Sequence, residues 1–290
     1  MNTRSIRTDL ALEAQEALEP VASSIHGICV SKIHHEESGA DITKVEITTK
    51  NGAKAIGKPM GTYITIEAPA LDLPDEDYHR NISLEISHQL KTLIPDFETE
   101  QSILVVGLGN RNITADSLGP TVTDHLYITR HLVKEYGKEA CLSGCGRRMH
   151  ILSSLAPGVM AQTGMETSEI IEGVVKKTKP DLMIVIDSLA ARSIRRLNRT
   201  IQISNSGIQP GSGVGNHRNA LNKESLGIPV IAIGVPIVVD AATIVKDAAG
   251  DNYSTMAELN NMYVTCKDVD TTVDRLSFTI SEALNLTMAE

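Results

Sequence analysis

The 290-residue sequence predicts an α/β fold: a mostly parallel sheet in a three-layer α/β/α core, extended at its N-terminal side by antiparallel strands. Three observations point there. Short, wholly apolar runs at 103–106, 182–186 and 230–233 have the character of strands buried on both faces of a parallel sheet. Helical periodicity follows or separates them at 117–135, 166–178 and 240–249, as βαβ crossovers require. The first third differs, with β-branched runs at 27–33, 44–49 and 62–68 set between Gly, Asn and Pro. Ile82, Ile86, Leu90 and Leu93 then mark one face of a helix over 77–93, stopped by Pro95. A last helix over 269–286 carries the stripe Val269, Val273, Leu276, Ile280, Ala283 and Leu284. No repeat or linker interrupts the pattern, so one domain is expected.

At 41% hydrophobic and 22% charged residues, the chain can bury a sizeable core. Asp9, Glu13 and Glu16 interrupt the start where a secretory signal needs an apolar run. The longest apolar run, 228–239, contains Gly234 and Pro236 and is too short to cross a bilayer. Four cysteines, Cys29, Cys141, Cys145 and Cys266, suit a reducing compartment, and a cytoplasmic protein without membrane contact is expected. Cys141 and Cys145 could ligate a metal, but no second Cys pair or spaced His accompanies them. A net charge of −9, with no basic block longer than Arg147-Arg148 or Lys176-Lys177, argues against direct nucleic-acid binding.

Functional residues of open α/β sheets gather at the carboxyl ends of strands. Two aspartates fall there: Asp116, after the Gly-rich turn in ILVVGLGNRNITADSLGP, and Asp187, at the end of the strand in DLMIVIDSLAARS. Two carboxylates in one crevice can share a proton, one taking a proton from water while the other protonates a peptide carbonyl. The plainer alternative is that each caps the following helix. A hard cation between them is a third possibility. GLGNRN lacks the third Gly of a dinucleotide fingerprint, and the glycine-rich stretch 210–219 lacks the Lys-Ser/Thr of a phosphate loop. No G-x-S-x-G or H-E-x-x-H occurs, and His34-His35 beside Glu36-Glu37 suggests a solvated turn.

Several long stretches resemble the germination protease family: RTDLALEAQE, GLGNRNITADSLGP, LAPGVMAQTGMETSEII, KPDLMIVIDSLAARSI, TIQISNSGIQPGSGVGNHR and LGIPVIAIGVPIVVDA. The resemblance implies an endopeptidase of the spore core that begins the degradation of small acid-soluble spore proteins at germination. It also implies a fold related to hydrogenase-maturation peptidases, a homotetramer, and Asp116 and Asp187 as the catalytic pair. No cofactor is expected, although the family's older metallopeptidase label leaves a divalent metal open. Family members are made as precursors that cleave themselves. The matching junction here is Asp9-Leu10, giving a propeptide of residues 1–9 and a peptidase domain of residues 10–290. Asp9-Leu10-Ala11-Leu12-Glu13 fits the family's substrate pattern of an acid, a bulky apolar residue, Ala and, two places later, Glu. Read without the resemblance, Thr8 or Asp9 caps a helix whose buried stripe is Leu10, Ala14, Ala17 and Leu18. The pattern departs from the family at 250–262, where members carry a longer segment. A metal-assisted peptidase and a non-catalytic assembly protein of the same fold are the rival expectations.

Overall fold

In the computed structural model, residues 8–18, 26–139, 150–211, 219–249, 259 and 262–289 are described. Cys141, Cys145, residues 1–7 of the expected propeptide, 212–218 of the glycine-rich stretch and most of 250–262 lie outside them. One nine-stranded sheet runs in the order β1 (Ile28–His35), β2 (Ala40–Ile47), β3 (Gly61–Glu67), β7 (Thr200–Ser204), β8 (Val230–Asp240), β6 (Leu182–Ala191), β4 (Ser102–Gly107) and β5 (Ile151–Leu155). A short β9 (Tyr263–Val264) pairs with β8. From β5 to β8 every pairing is parallel. From β8 through β7, β3 and β2 to β1 every pairing is antiparallel. The β7–β8 seam therefore divides a parallel core from the antiparallel extension expected of the N-terminal strands.

Alternation along the parallel strands builds the three layers. Ile103, Val105, Ile184, Ile186, Ile231 and Ile233 face a cluster with α3 (Glu76–Leu93), α4 (Leu118–Asp124) and α10 (Val269–Met288). Leu104, Val106, Met183, Val185 and Val230 face Ile171 and Val175 of α7 (Thr167–Thr178) on the other side. With both faces covered, these strands must be almost wholly apolar.

Several boundaries differ from the sequence expectation for local reasons. The helix expected over 117–135 is divided into α4 and α5 (Arg130–Tyr136). Asn285 of α10 captures the connection, accepting from the Tyr127 N–H at 2.9 Å and donating to the His125 carbonyl at 3.0 Å, in competition with helical bonding. β6 and β8 run well past 186 and 233 because β pairing continues through Asp187, Gly234 and Pro236, which break their apolar pattern. His34 and His35 lie within β1 rather than in a turn. Their Nδ1 atoms meet Asp41 at 2.7 Å and Glu85 at 3.0 Å. A helix α2 (Lys50–Ile56) joins β2 to β3, started by Thr49, whose Oγ1 accepts from the Gly52 N–H, and ended by left-handed Gly57. Between β5 and α7 lies a single turn, α6 (Met160–Thr163), while α8 (Lys223–Leu226) precedes β8 and α9 (Ala241–Ala249) follows it.

Candidate active site

The site begins where β4 stops. The last β4–β6 register pair is Gly107 with Ile186, and the Leu108 N–H still donates to the Ile186 carbonyl at 2.8 Å. β6 continues through Asp187 to Ala191 paired with β8, while its β4-facing edge is vacated. Asp187 is thus not at the end of its own strand, as the sequence suggests, but is the sixth of ten residues, at the level where the neighbouring strand ends. It is 7% exposed, and its Oδ1 accepts from the Ser188 N–H at 2.9 Å.

The chain leaving β4 turns at Gly109, whose φ of +115° disfavours a side chain; a Cβ there would lie 2.0 Å from the Asp116 carbonyl oxygen. A 3-10 turn, Thr114–Asp116, then delivers Asp116, whose Oδ2 accepts from the Asn110 N–H at 2.8 Å. Next, α4 is pressed against the strands at Gly119, where a Cβ would meet the Leu108 oxygen at 2.4 Å and the Ile186 oxygen at 2.7 Å. The helix-cap alternative fails for both aspartates, since Asp187 lies inside a strand and Ser117 holds the N-cap position of α4. Asp116 and Asp187 line one cavity of about 270 Å³ together with Asp9.

Asp9 fills the vacated edge of β6. Its N–H donates to the Ala190 carbonyl at 3.1 Å, and its Oδ2 accepts from the Ala190 N–H at 2.9 Å. Its carbonyl oxygen accepts from Lys58 Nζ at 2.9 Å and Gln202 Nε2 at 3.2 Å. Leu10 is fully buried among Leu189, Ala191, Leu197 and Val239. Ala11, also fully buried, packs against Val45, Ile47, Ile56 and Tyr63, and its N–H donates to Gln202 Oε1 at 2.7 Å. α1 (Ala11–Glu16) begins here with Leu10 at its N-cap position, so neither Thr8 nor Asp9 caps it.

Glu13 is 3% exposed and its carboxylate is gripped from the connection after β6: the Arg192 N–H donates at 2.8 Å and the Ser193 N–H at 3.0 Å. The Thr8 hydroxyl donates to it as well, and Arg196 lies 3.5 Å away, also paired with Glu16 and Glu67. Burial works to lower the Arg196 pKa, but Glu16 and Glu67 outweigh it and raise it above the usual arginine value. At Lys58, burial wins: it pushes the ammonium below the usual lysine value against the pull of Asp9 and Glu13. Thr8, Asp9, Glu13, Lys58, Asp187 and Gln202 border a larger cleft of about 670 Å³ that continues the smaller one.

Among the described residues no group of three or more His, Cys, Asp or Glu side chains is arranged to hold a metal ion. The sequence reading missed Lys58, Gln202, Arg196 and the backbone donors at 192 and 193. Only the long-range fold brings these residues to the 9–13 segment, and no local spacing marks them.

Fold and cleft define a three-layer α/β protein in which two aspartates line one cavity with Asp9 of the N-terminal segment. The chain belongs to the germination protease family, whose pattern matches residues 6–256. It is 47% identical over 228 residues to the germination protease of Caldanaerobacter subterraneus subsp. tengcongensis, covering 79% of this chain and 67% of that protein. Identity to the Priestia megaterium germination protease is 50% over 240 residues, with coverage of 79% and 62%. The chain thus spans about two thirds of the length of these relatives. A solved hydrogenase maturation protease from Thermococcus kodakarensis is similar at 19% identity with a TM-score of 0.36, over 68% of this chain and 98% of that one. Among the described residues no helix is long and apolar enough to cross a membrane.

Proposed function

We propose that the chain is an endopeptidase made as a precursor, which cuts its own Asp9-Leu10 bond and then acid-containing segments of small acid-soluble spore proteins. The observation that carries this reading is the position of residues 9–13. Asp9 lines one cavity with both Asp116 and Asp187, Asp9 and Glu13 border the larger cleft with Asp187, and the residues of the acid, bulky, Ala, x, Glu pattern have fitted environments. Ala190 holds the acid, a closed apolar pocket holds Leu10, packing without spare room accounts for Ala11, and two backbone N–H groups with Arg196 hold Glu13.

In the proposed reaction one carboxylate of the Asp116/Asp187 pair takes a proton from the attacking water and the other returns one as the peptide bond breaks. Asp116 sits on a turn fixed by Gly109 and Asp187 on a central strand, so both are mounted on rigid backbone. The reading places the protein in the cytoplasm of the spore core and includes assembly into a homotetramer, for which the exposed outer strand β1 leaves a sheet edge available.

The test incubates a purified small acid-soluble spore protein with the processed chain and with folded Asp116→Asn and Asp187→Asn variants. Cleavage after an acidic residue by the parent, and its loss in both variants, is expected. Near-normal cleavage by either variant removes that residue from the chemistry, and an intact substrate with the parent favours a non-catalytic assembly protein. Loss of activity on stripping divalent ions, restored by adding them back, would replace the metal-free mechanism with a metal-assisted one.

A further inference from the structure

The carbonyl of the Asp9-Leu10 bond is held by two side chains that no part of the proposed acid pair supplies. Lys58 Nζ donates to it at 2.9 Å and Gln202 Nε2 at 3.2 Å. From these contacts we infer that Lys58 and Gln202 form the site that receives the negative charge developing on the scissile carbonyl oxygen during peptide cleavage. The inference rests on the self-cleavage reading above and assigns to it a function that the two aspartates do not perform.

Preorganised donors stabilise the tetrahedral state when they already surround the oxygen on which charge develops. Both residues meet that condition through their mounting. Lys58 follows the left-handed Gly57 that ends α2 and is half-buried, and it reaches the Thr8 carbonyl at 3.2 Å as well as that of Asp9. Gln202 is central in β7, paired to both β3 and β8. Its amide bridges the scissile bond, with Nε2 on the Asp9 oxygen and Oε1 accepting from the Ala11 N–H at 2.7 Å. The bond is thus fixed on both sides, and the carbonyl faces donors rather than a carboxylate.

This redistributes the proton transfers. Water adds to the Asp9 carbonyl carbon, forming a C–O bond, and its proton passes to one carboxylate of the pair. The carbonyl π electrons move to the oxygen, and the oxyanion so formed accepts hydrogen bonds from the Lys58 and Gln202 N–H groups. As the tetrahedral state collapses, the C–N bond breaks and the other carboxylate protonates the Leu10 nitrogen. No carboxylic acid is then needed at the carbonyl oxygen.

The unprocessed 290-residue chain supplies its own test, because the segment is already docked and its cleavage is first order. Release of residues 1–9 is followed by mass spectrometry in the parent, in Lys58→Met and in Gln202→Glu; the latter loses the donor but keeps the acceptor for Ala11. Amide exchange over residues 10–13 reports docking in each. The expected result is a rate about a hundredfold lower in either variant with exchange protection unchanged. Rates within about threefold of the parent, with the segment docked, overturn the inference while leaving self-cleavage standing. Release of the segment in both variants overturns it in favour of simple anchoring. A parent chain that never loses residues 1–9 refutes the self-cleavage reading itself.

Discussion

On the parallel side of the seam, β6 and the turn after β4 present Asp187 and Asp116, while Ala190 and the connection after β6 take hold of Asp9 and Glu13. On the antiparallel side, α2, β3 and β7 present no carboxylate to the Asp9-Leu10 bond. Together with β2 they bring Lys58, Gln202 and an apolar bed of Val45, Ile47, Ile56 and Tyr63. The two halves meet at β7–β8, where strand direction changes and the segment crosses. The proposed proton-transferring pair and the residues that hold the Asp9 carbonyl are thus mounted on different halves of one sheet, so each can be disturbed without the other.

The largest expected effect comes from the parallel half. Asp187→Asn should slow release of residues 1–9 by about a thousandfold, the scale on which positioned acid–base groups act. Exchange protection of residues 10–13 should persist, because the Ala190, Lys58 and Gln202 contacts remain. Loss of protection in that variant would merge the two roles. Next in size, Gly119→Ala places a methyl group against the backbone of Leu108 and Ile186, and a loss of about 3 kcal/mol in denaturant unfolding is expected. An unchanged midpoint would show that the junction of β4, β6 and α4 is not close-packed.

Glu13→Gln should act on holding alone. It removes a buried carboxylate that accepts from two backbone N–H groups and neighbours Arg196, weakening docking by about 2 kcal/mol as read from exchange at 10–13. Arg196 keeps Glu16 and Glu67 and the fold should survive. The smallest effect is a pH dependence on the antiparallel side. Burial pushes the Tyr63 phenol up to about 12, with Ser206 opposing, while the unfolded chain titrates near the ordinary value of 10.0. Between those values the folded state keeps a proton that the unfolded state has lost, so stability falls as pH rises through the window. Tyr63→Phe should flatten that slope, and an unaltered slope would assign it to another group.

The sequence makes the three layers legible because strands covered on both faces must be apolar, as 103–106 and 182–186 are. It hides the full lengths of β6 and β8, since Asp187 and Pro236 interrupt the apolar pattern that reveals a buried strand. The division of the helix after Ser117 depends on Asn285, some 160 residues away, which no window on 117–135 can include. In the site, Asp116 and Asp187 are visible as acids beside strands and Asp9-Leu10 as part of a pattern. Lys58 and Gln202 are not, because a lone lysine before a proline and a glutamine in a short strand acquire meaning only when β3 and β7 bring them to the Asp9 carbonyl.

The decisive measurement is the N-terminus that the purified, unprocessed 290-residue chain acquires on incubation, mapped by mass spectrometry beside the Asp187→Asn variant. A single new terminus at Leu10 in the parent and an intact chain in the variant are expected. A stable parent chain, a terminus elsewhere, or equal processing of the variant would contradict the proposed self-cleavage at Asp9-Leu10 through Asp187.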